Sequence, residues 1–149
     1  MKLAEALVLR SDIQKRIMSL RKRISKVTIM QDGDKPAEDP QALLKEARSA
    51  INNLEKLIFS INSANLNSQT PKGRSITEAL AERDALKLKH ALLASAIDSA
   101  EIPSAYGVRE IRWVSTINIE AIQEEIDAIA IQIREVNLEI QEANWLNDI

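Results

Sequence analysis

Apolar residues recur every three and four positions in four separate stretches of the chain, and that spacing predicts four amphipathic helices. The first runs over about 2–30, with Leu3, Ala6, Ile13, Ile17, Leu20, Ile24 and Val27 on one stripe and Arg10 in the one polar place on it. It gives way to Gln31-Asp32-Gly33-Asp34-Lys35-Pro36, a polar stretch with the Gly and Pro that follow helix ends. The second spans 40–66, with Asp39 as N-cap and Pro40 in the first turn, where its missing N–H costs nothing. Its seam reads Leu44, Ala47, Ile51, Leu54, Ile58 and Ile61, and Pro71 and Gly73 mark the break beyond it.

Ser75-Ile76-Thr77-Glu78 then has the form of a capping box, which opens a third helix over 76–100. This helix carries two apolar stripes. Ile76, Ala79, Leu86, Leu93, Ile97 and Ala100 form one, interrupted by Arg83 and His90; Ala81, Ala85, Leu88, Leu92 and Ala96 form the other. Two stripes predict burial against more than one neighbour. Pro103 and Gly107 break the period, and the β-branched run from Val108 to Ile117 reads as a connection containing one short strand. Asn118 caps the last helix, 119–146, whose seam of Ile119, Ile122, Ile126, Ile129, Ile133, Val136, Ile140 and Ala143 never breaks step. The expected fold is all-α: a single domain over 1–149, an antiparallel up-down-up-down four-helix bundle with long coiled-coil-like helices packed near +20°. Helices this long and thin relative to one core, with Ile131 and Leu138 off the seam of the last, favour a homo-oligomer.

Composition sharpens this picture. Three Gly and four Pro in 149 residues are too few for a many-turned β fold. The absence of Cys removes disulfides and thiolate chemistry. No apolar run reaches the ~18 residues of a membrane span, and the start Met1–Arg10 does not read as a signal peptide, so a cytoplasmic protein without membrane association is expected. The net charge of −2 hides an asymmetry. Residues 1–30 carry eight Lys and Arg against Glu5 and Asp12, whereas residues 119–149 carry eight acids against Arg134. Lys15, Arg16, Arg21, Lys22, Arg23 and Lys26 could meet nucleic-acid phosphates. No aromatic residues are interleaved for base stacking, which favours pairing of the basic first helix with the acidic last one over nucleic-acid binding.

Threading the polar residues onto an up-down-up-down bundle gathers Glu5, Arg10, Asn62, Asn65, Arg83, Asp84, Asn137, Asn144 and Trp145 at one end. As a site, Arg10 and Arg83 would clamp a small anionic ligand, a carboxylate or a phosphate, with Asn side chains orienting it and Trp145 as an apolar wall. As a structural layer the same groups satisfy one another and fix helix register, and this second reading is favoured because no obvious nucleophile is present. Glu5 and Asp84 are the candidate carboxylate pair for acid–base work. The lone His90 reads as a core residue. Glu-x-x-His pairs, phosphate-binding loops and the G-x-S-x-G elbow are all missing, so no metal and no cofactor is expected. Trp113 in the connection reads as a plug for the opposite end of the core.

The start Met1–Leu7, the loop Pro36–Pro40, Asn62 with Asn65, Thr77–Asp84, Glu110–Thr116 and the ending Asn144-Trp145 together resemble the septicolysin-like family of small bacterial proteins, over nearly the whole chain. The resemblance implies a compact all-helical protein of this length. Its motifs fall on Glu5, Asn62, Asn65, Thr77, Arg83, Asp84, Asn144 and Trp145. The family name suggests a cytolysin, but no insertion loop or membrane-length segment is legible here. A non-enzymatic structural or interaction protein is the leading expectation, an anion-binding protein or enzyme the alternative, and nucleic-acid binding through the first helix the third.

Overall fold

A computed structural model of the chain describes residues 1–101 and 112–149. It is all-α, with helices α1 (Leu3–Ser25), α2 (Pro40–Asn67), α3 (Ile76–Ser99) and α4 (Ile119–Leu146) and no strand among the described residues. Of the stretch 108–117 expected to contain a strand, 108–111 lie outside the described residues and 112–117 form none. The chain forms two compact units, Met1–Gln69 with Ala143–Ile149, and Thr70–Glu142.

In the first unit α1 and α2 pack as an antiparallel hairpin. Leu20, Val27 and Leu43 form a buried cluster with Ile24 and Ala47 against it, and Arg16 Nη2 reaches Glu46 Oε1 at 2.7 Å. The predicted α1 stripe is the inward face: Leu3, Ala6, Leu20 and Val27 are buried and Ile13, Ile17 and Ile24 half-buried. The helix nevertheless stops at Ser25, five residues early. Ser25 Oγ bonds back to the Lys22 carbonyl at 2.7 Å, the Lys26 N–H turns to the Arg23 and Ile24 carbonyls, and the β-branched Val27-Thr28-Ile29 that follows is a poor helix former. On α2 the buried line is Leu43, Leu57, Ile61 and Ala64, one position round from the predicted seam, which leaves Ile51 51% exposed. Two stripes share Ala47, Leu54 and Ile61, and burial selects the one through Leu43 and Leu57. The end of α4 belongs to this unit as well. Leu3 N–H donates to the Asn147 carbonyl at 3.0 Å and Ile149 N–H to the Met1 carbonyl at 3.0 Å, so the start of α1 is held against the residues just beyond α4.

In the second unit Ala79 and Leu86 of α3 pack on Ile129, Val136 and Ile140 of α4, with Leu80, Leu93 and Ile133 at the margin. The unbroken α4 seam predicts this core correctly, and Asn118 caps the helix through its Oδ1, which accepts from Ala121 N–H at 3.1 Å. Only one of the two α3 stripes is inward. Leu88 and Leu92 of the other are 73% and 69% exposed, a correction to the expectation that both are covered. Trp113 is 58% exposed and does not plug a core.

Candidate functional site

Several of the charged groups are met locally, within a helical pair. Arg23 binds both oxygens of Glu38, through Nε at 3.1 Å and through Nη2, and Arg16 binds Glu46. Of the basic residues in 1–30, Arg16 and Arg23 therefore use carboxylates on or just before α2, whereas Lys2 meets Asp148 just beyond α4, Nζ to Oδ2 at 3.0 Å, so the expected pairing of the basic start with the acidic end holds at that one place. The Arg23 pair holds the Glu38 carboxyl below its ordinary value.

The nine polar residues expected at one end fall in both units. Glu5, Arg10, Asn62, Asn65, Asn144 and Trp145 are in the first, Arg83, Asp84 and Asn137 in the second. None is buried: Glu5, Asn62, Asp84 and Trp145 are exposed and the other five half-buried. Glu5 completes the α1 N-terminus, its Oε2 accepting from Lys2 N–H at 2.8 Å. Arg83 is met by its own neighbour, with Nε and Nη2 at 3.1 and 3.0 Å from Asp84 Oδ1. The Arg16–Glu46 register places Arg10 level with about residue 52, and ten residues along a helix is roughly 15 Å. That separates Arg10 from Asn62 and Asn65 within the first unit. His90 is half-buried on α3. Among the described residues no three His, Asp or Glu side chains converge as they would around a metal ion.

The most developed polar constellation is one that sequence reasoning missed. Thr70-Pro71-Lys72-Gly73-Arg74 forms a tight turn, closed by Thr70 N–H to the Arg74 carbonyl at 2.8 Å and Gly73 N–H to the Thr70 carbonyl at 2.9 Å. Gly73 has φ of +80°, a conformation that costs a side-chain-bearing residue energy. The turn runs into the Ser75 capping box, where Glu78 N–H donates to Ser75 Oγ at 3.1 Å; Glu78 Oε2 accepts from Ser75 N–H at 2.7 Å and from Ser75 Oγ at 2.8 Å, and these two bonds hold the Glu78 carboxyl below its ordinary value. Arg74 thereby projects onto α4. Its Nε and Nη2 grip the two oxygens of Glu139 at 2.9 and 2.7 Å, its Nη1 binds Glu82, and Lys72 Nζ stands 3.4 Å from the same Glu139.

Glu139 retains 5% of its exposure. Such a carboxylate is tolerable only with its charge and lone pairs met. The Arg74 hydrogen bonds outweigh burial, and with the Thr70 hydroxyl they pull its pKa down to about 2. Arg74 is held still more firmly protonated than usual. The arrangement is a latch: a bidentate pair that fixes the 70–75 turn to α4. As an acid–base group Glu139 is disarmed, because a carboxyl ionised down to pH ~2 is a poor proton carrier near neutrality. Beside it Pro71, Lys72, Glu135, Leu138 and Glu142 line an open groove of about 330 Å³. A sequence cue existed, since Glu139 interrupts the apolar run around Val136 and Ile140 and Arg74 immediately precedes the helix cap.

A family model covers residues 10–149. The chain belongs to a family of unknown function, DUF6847. A crystal structure of a functionally unknown conserved protein from Corynebacterium diphtheriae is similar at 32% identity, with a TM-score of 0.90 over 99% of this chain and 97% of that one. No curated protein matches the sequence.

Proposed function

We propose that this protein is a non-enzymatic helical interaction protein that self-associates and works in the cytoplasm, and that its resemblance to septicolysin-like proteins reflects a shared scaffold rather than a lytic activity. One contrast carries the reading. The one extensive ionic constellation described, Arg74 with Glu139 and Glu82, is spent on holding a turn to a helix, whereas large apolar side chains such as Leu88 and Leu92 lie on the outside. Catalytic sites tend to hold groups poised near the working pH, and the Glu139 carboxyl is pulled far from it. In support, no described helix is long and apolar enough to cross a membrane.

Sedimentation velocity over a concentration series tests the reading: a species heavier than the monomer is expected to grow with concentration, and a monomer throughout counts against it. A second reading, binding of a small anion, has one observation in its favour. Arg10 is half-buried on the α1 stripe and is not among the arginines that form ion pairs. Thermal-shift measurements with phosphate and with simple carboxylates separate the two, because a melting temperature that rises with the anion in the wild type and not in Arg10→Leu favours the ligand.

A further inference from the structure

The exposed part of the second α3 stripe, Ala81, Ala85, Leu88 and Leu92, has the form of a seam, whereas Ala96 at its end is half-buried. Positions 81, 85, 88 and 92 step by four, three and four, as in coiled coils, and at 100° per residue they lie roughly opposite the buried Ala79–Leu86 face. Leu88 and Leu92 are 73% and 69% exposed, and Ala81 and Ala85 are exposed with them. The order along the helix is small, small, large, large, so an antiparallel copy sets Ala81 against Leu92 and Ala85 against Leu88, each large side chain opposite a small one. A parallel copy sets Leu against Leu and Ala against Ala. The flanking charges are compatible with this pairing. Glu82 and Lys89, seven residues apart, share one side of the seam, and antiparallel pairing brings Glu82 of each copy beside Lys89 of the other, which gives two opposite-charge contacts across the two-fold. The outward face of α4 lacks this complementarity: Ile131 and Leu138 are exposed there, but Asp127, Glu135 and Glu142 flank them against Arg134 alone, and a self-pairing would set acid against acid.

We propose that the outward face of α3 is a homodimer interface, on which a second copy of this chain docks antiparallel about a two-fold axis passing between Leu86 and Lys87. This rests on the self-association reading above and names its surface. The interface repeats one patch on both copies, as closed two-fold symmetry requires. Two Leu and two Ala per copy make a seam smaller than the about 1,200 Å² at which stable interfaces begin, so the dimer is weak and concentration-dependent.

Sedimentation equilibrium of the full chain tests it. Leu92→Glu is expected to weaken the dimer at least about tenfold, because it sets a carboxylate into an apolar layer of the seam, with an unchanged helical circular-dichroism spectrum, because the residue touches no core. Ala85→Leu is the sharper variant. It makes the stripe more apolar, yet it crowds Leu88 of the second copy and is expected to weaken the dimer at least about tenfold. A nonspecific sticky patch would tighten. Lys89→Glu is expected to weaken association and Glu82→Lys/Lys89→Glu to restore it, with the melting temperature recorded because Glu82 also binds Arg74. A wild-type dimer that survives Leu92→Glu overturns this interface and leaves self-association standing through another surface. Tighter association of Ala85→Leu overturns the antiparallel seam. A wild type that stays monomeric at every concentration overturns both the interface and the self-association reading.

Discussion

A single carboxylate shows how an interior charge is tolerated and what it does in return. Glu139 is 5% exposed and its pKa falls from 4.5 to about 2 because Arg74 binds both its oxygens. A carboxyl depressed in the folded state contributes stability that is fully present above its unfolded pKa, near 4.5, and is lost as the pH falls through about 2. The depression corresponds to about 3 kcal/mol. Glu139→Gln is therefore expected to lower unfolding stability by about 3 kcal/mol at pH 7, measured by chemical denaturation, and the deficit relative to wild type should shrink as the pH drops from 4.5 toward 2. A pH-independent deficit would assign the loss to packing. The double variant Arg74→Met/Glu139→Leu should recover most of the loss, because an apolar pair of similar volume leaves no buried charge unpaired. Recovery would mark the pair as a fastening of the turn, while equal damage from single and double variants would give the two side chains separate tasks.

At the scale of elements, periodicity and caps carried most of the information. The ends of α2, α3 and α4 lie within one residue of the predicted 40–66, 76–100 and 119–146, because Asp39, Ser75 and Asn118 are caps whose chemistry is local. The α1 end was less legible: its apolar stripe continues through Val27, which stays buried after the helix has stopped, and apolar spacing cannot separate burial from helicity. The α2 face was ambiguous between two stripes sharing three residues. Leu57→Ala is thus expected to cost about 2–4 kcal/mol and Ile51→Ala less than about 1 kcal/mol, and comparable costs would restore the predicted seam. The Arg74–Glu139 latch was not legible because its partners are 65 positions apart and only the fold brings them together. The 70–75 turn obeys local rules: Gly73→Ala meets no atom within 4 Å, so its expected loss of about 1 kcal/mol comes from the positive φ alone. A thermal-denaturation midpoint unchanged by Gly73→Ala would contradict that account.

Across the whole molecule, charge and chain path divide differently. The unit containing α1 and α2 carries 12 Lys and Arg against 9 Asp and Glu, and the other carries 8 against 13, so a chain of net charge −2 joins a basic unit to an acidic one. Yet α4 runs without interruption from Ile119 to Leu146, although its last residues, from Ala143, belong with α1 and α2. Ala143 is fully buried and Ile140, three residues earlier, is 6% exposed, so both units draw their cores from one helix across the dividing point. Helical order propagates along a continuous backbone, and starting it afresh is costly. Loss of α4 on one side therefore removes its template on the other, and a single cooperative transition is expected despite the two units. Differential scanning calorimetry checks this through equality of the calorimetric and van't Hoff enthalpies. The decisive variant is again Glu139→Gln, which lies wholly in the second unit. It should move the entire transition down by roughly 10 °C, with hydrogen exchange at Leu20 and Ile61 in the first unit accelerating alongside that at Leu86 and Ile129. Two separated heat-absorption peaks, with Leu20 and Ile61 unaffected, would make the units independent and α4 a connecting rod that can melt in its middle.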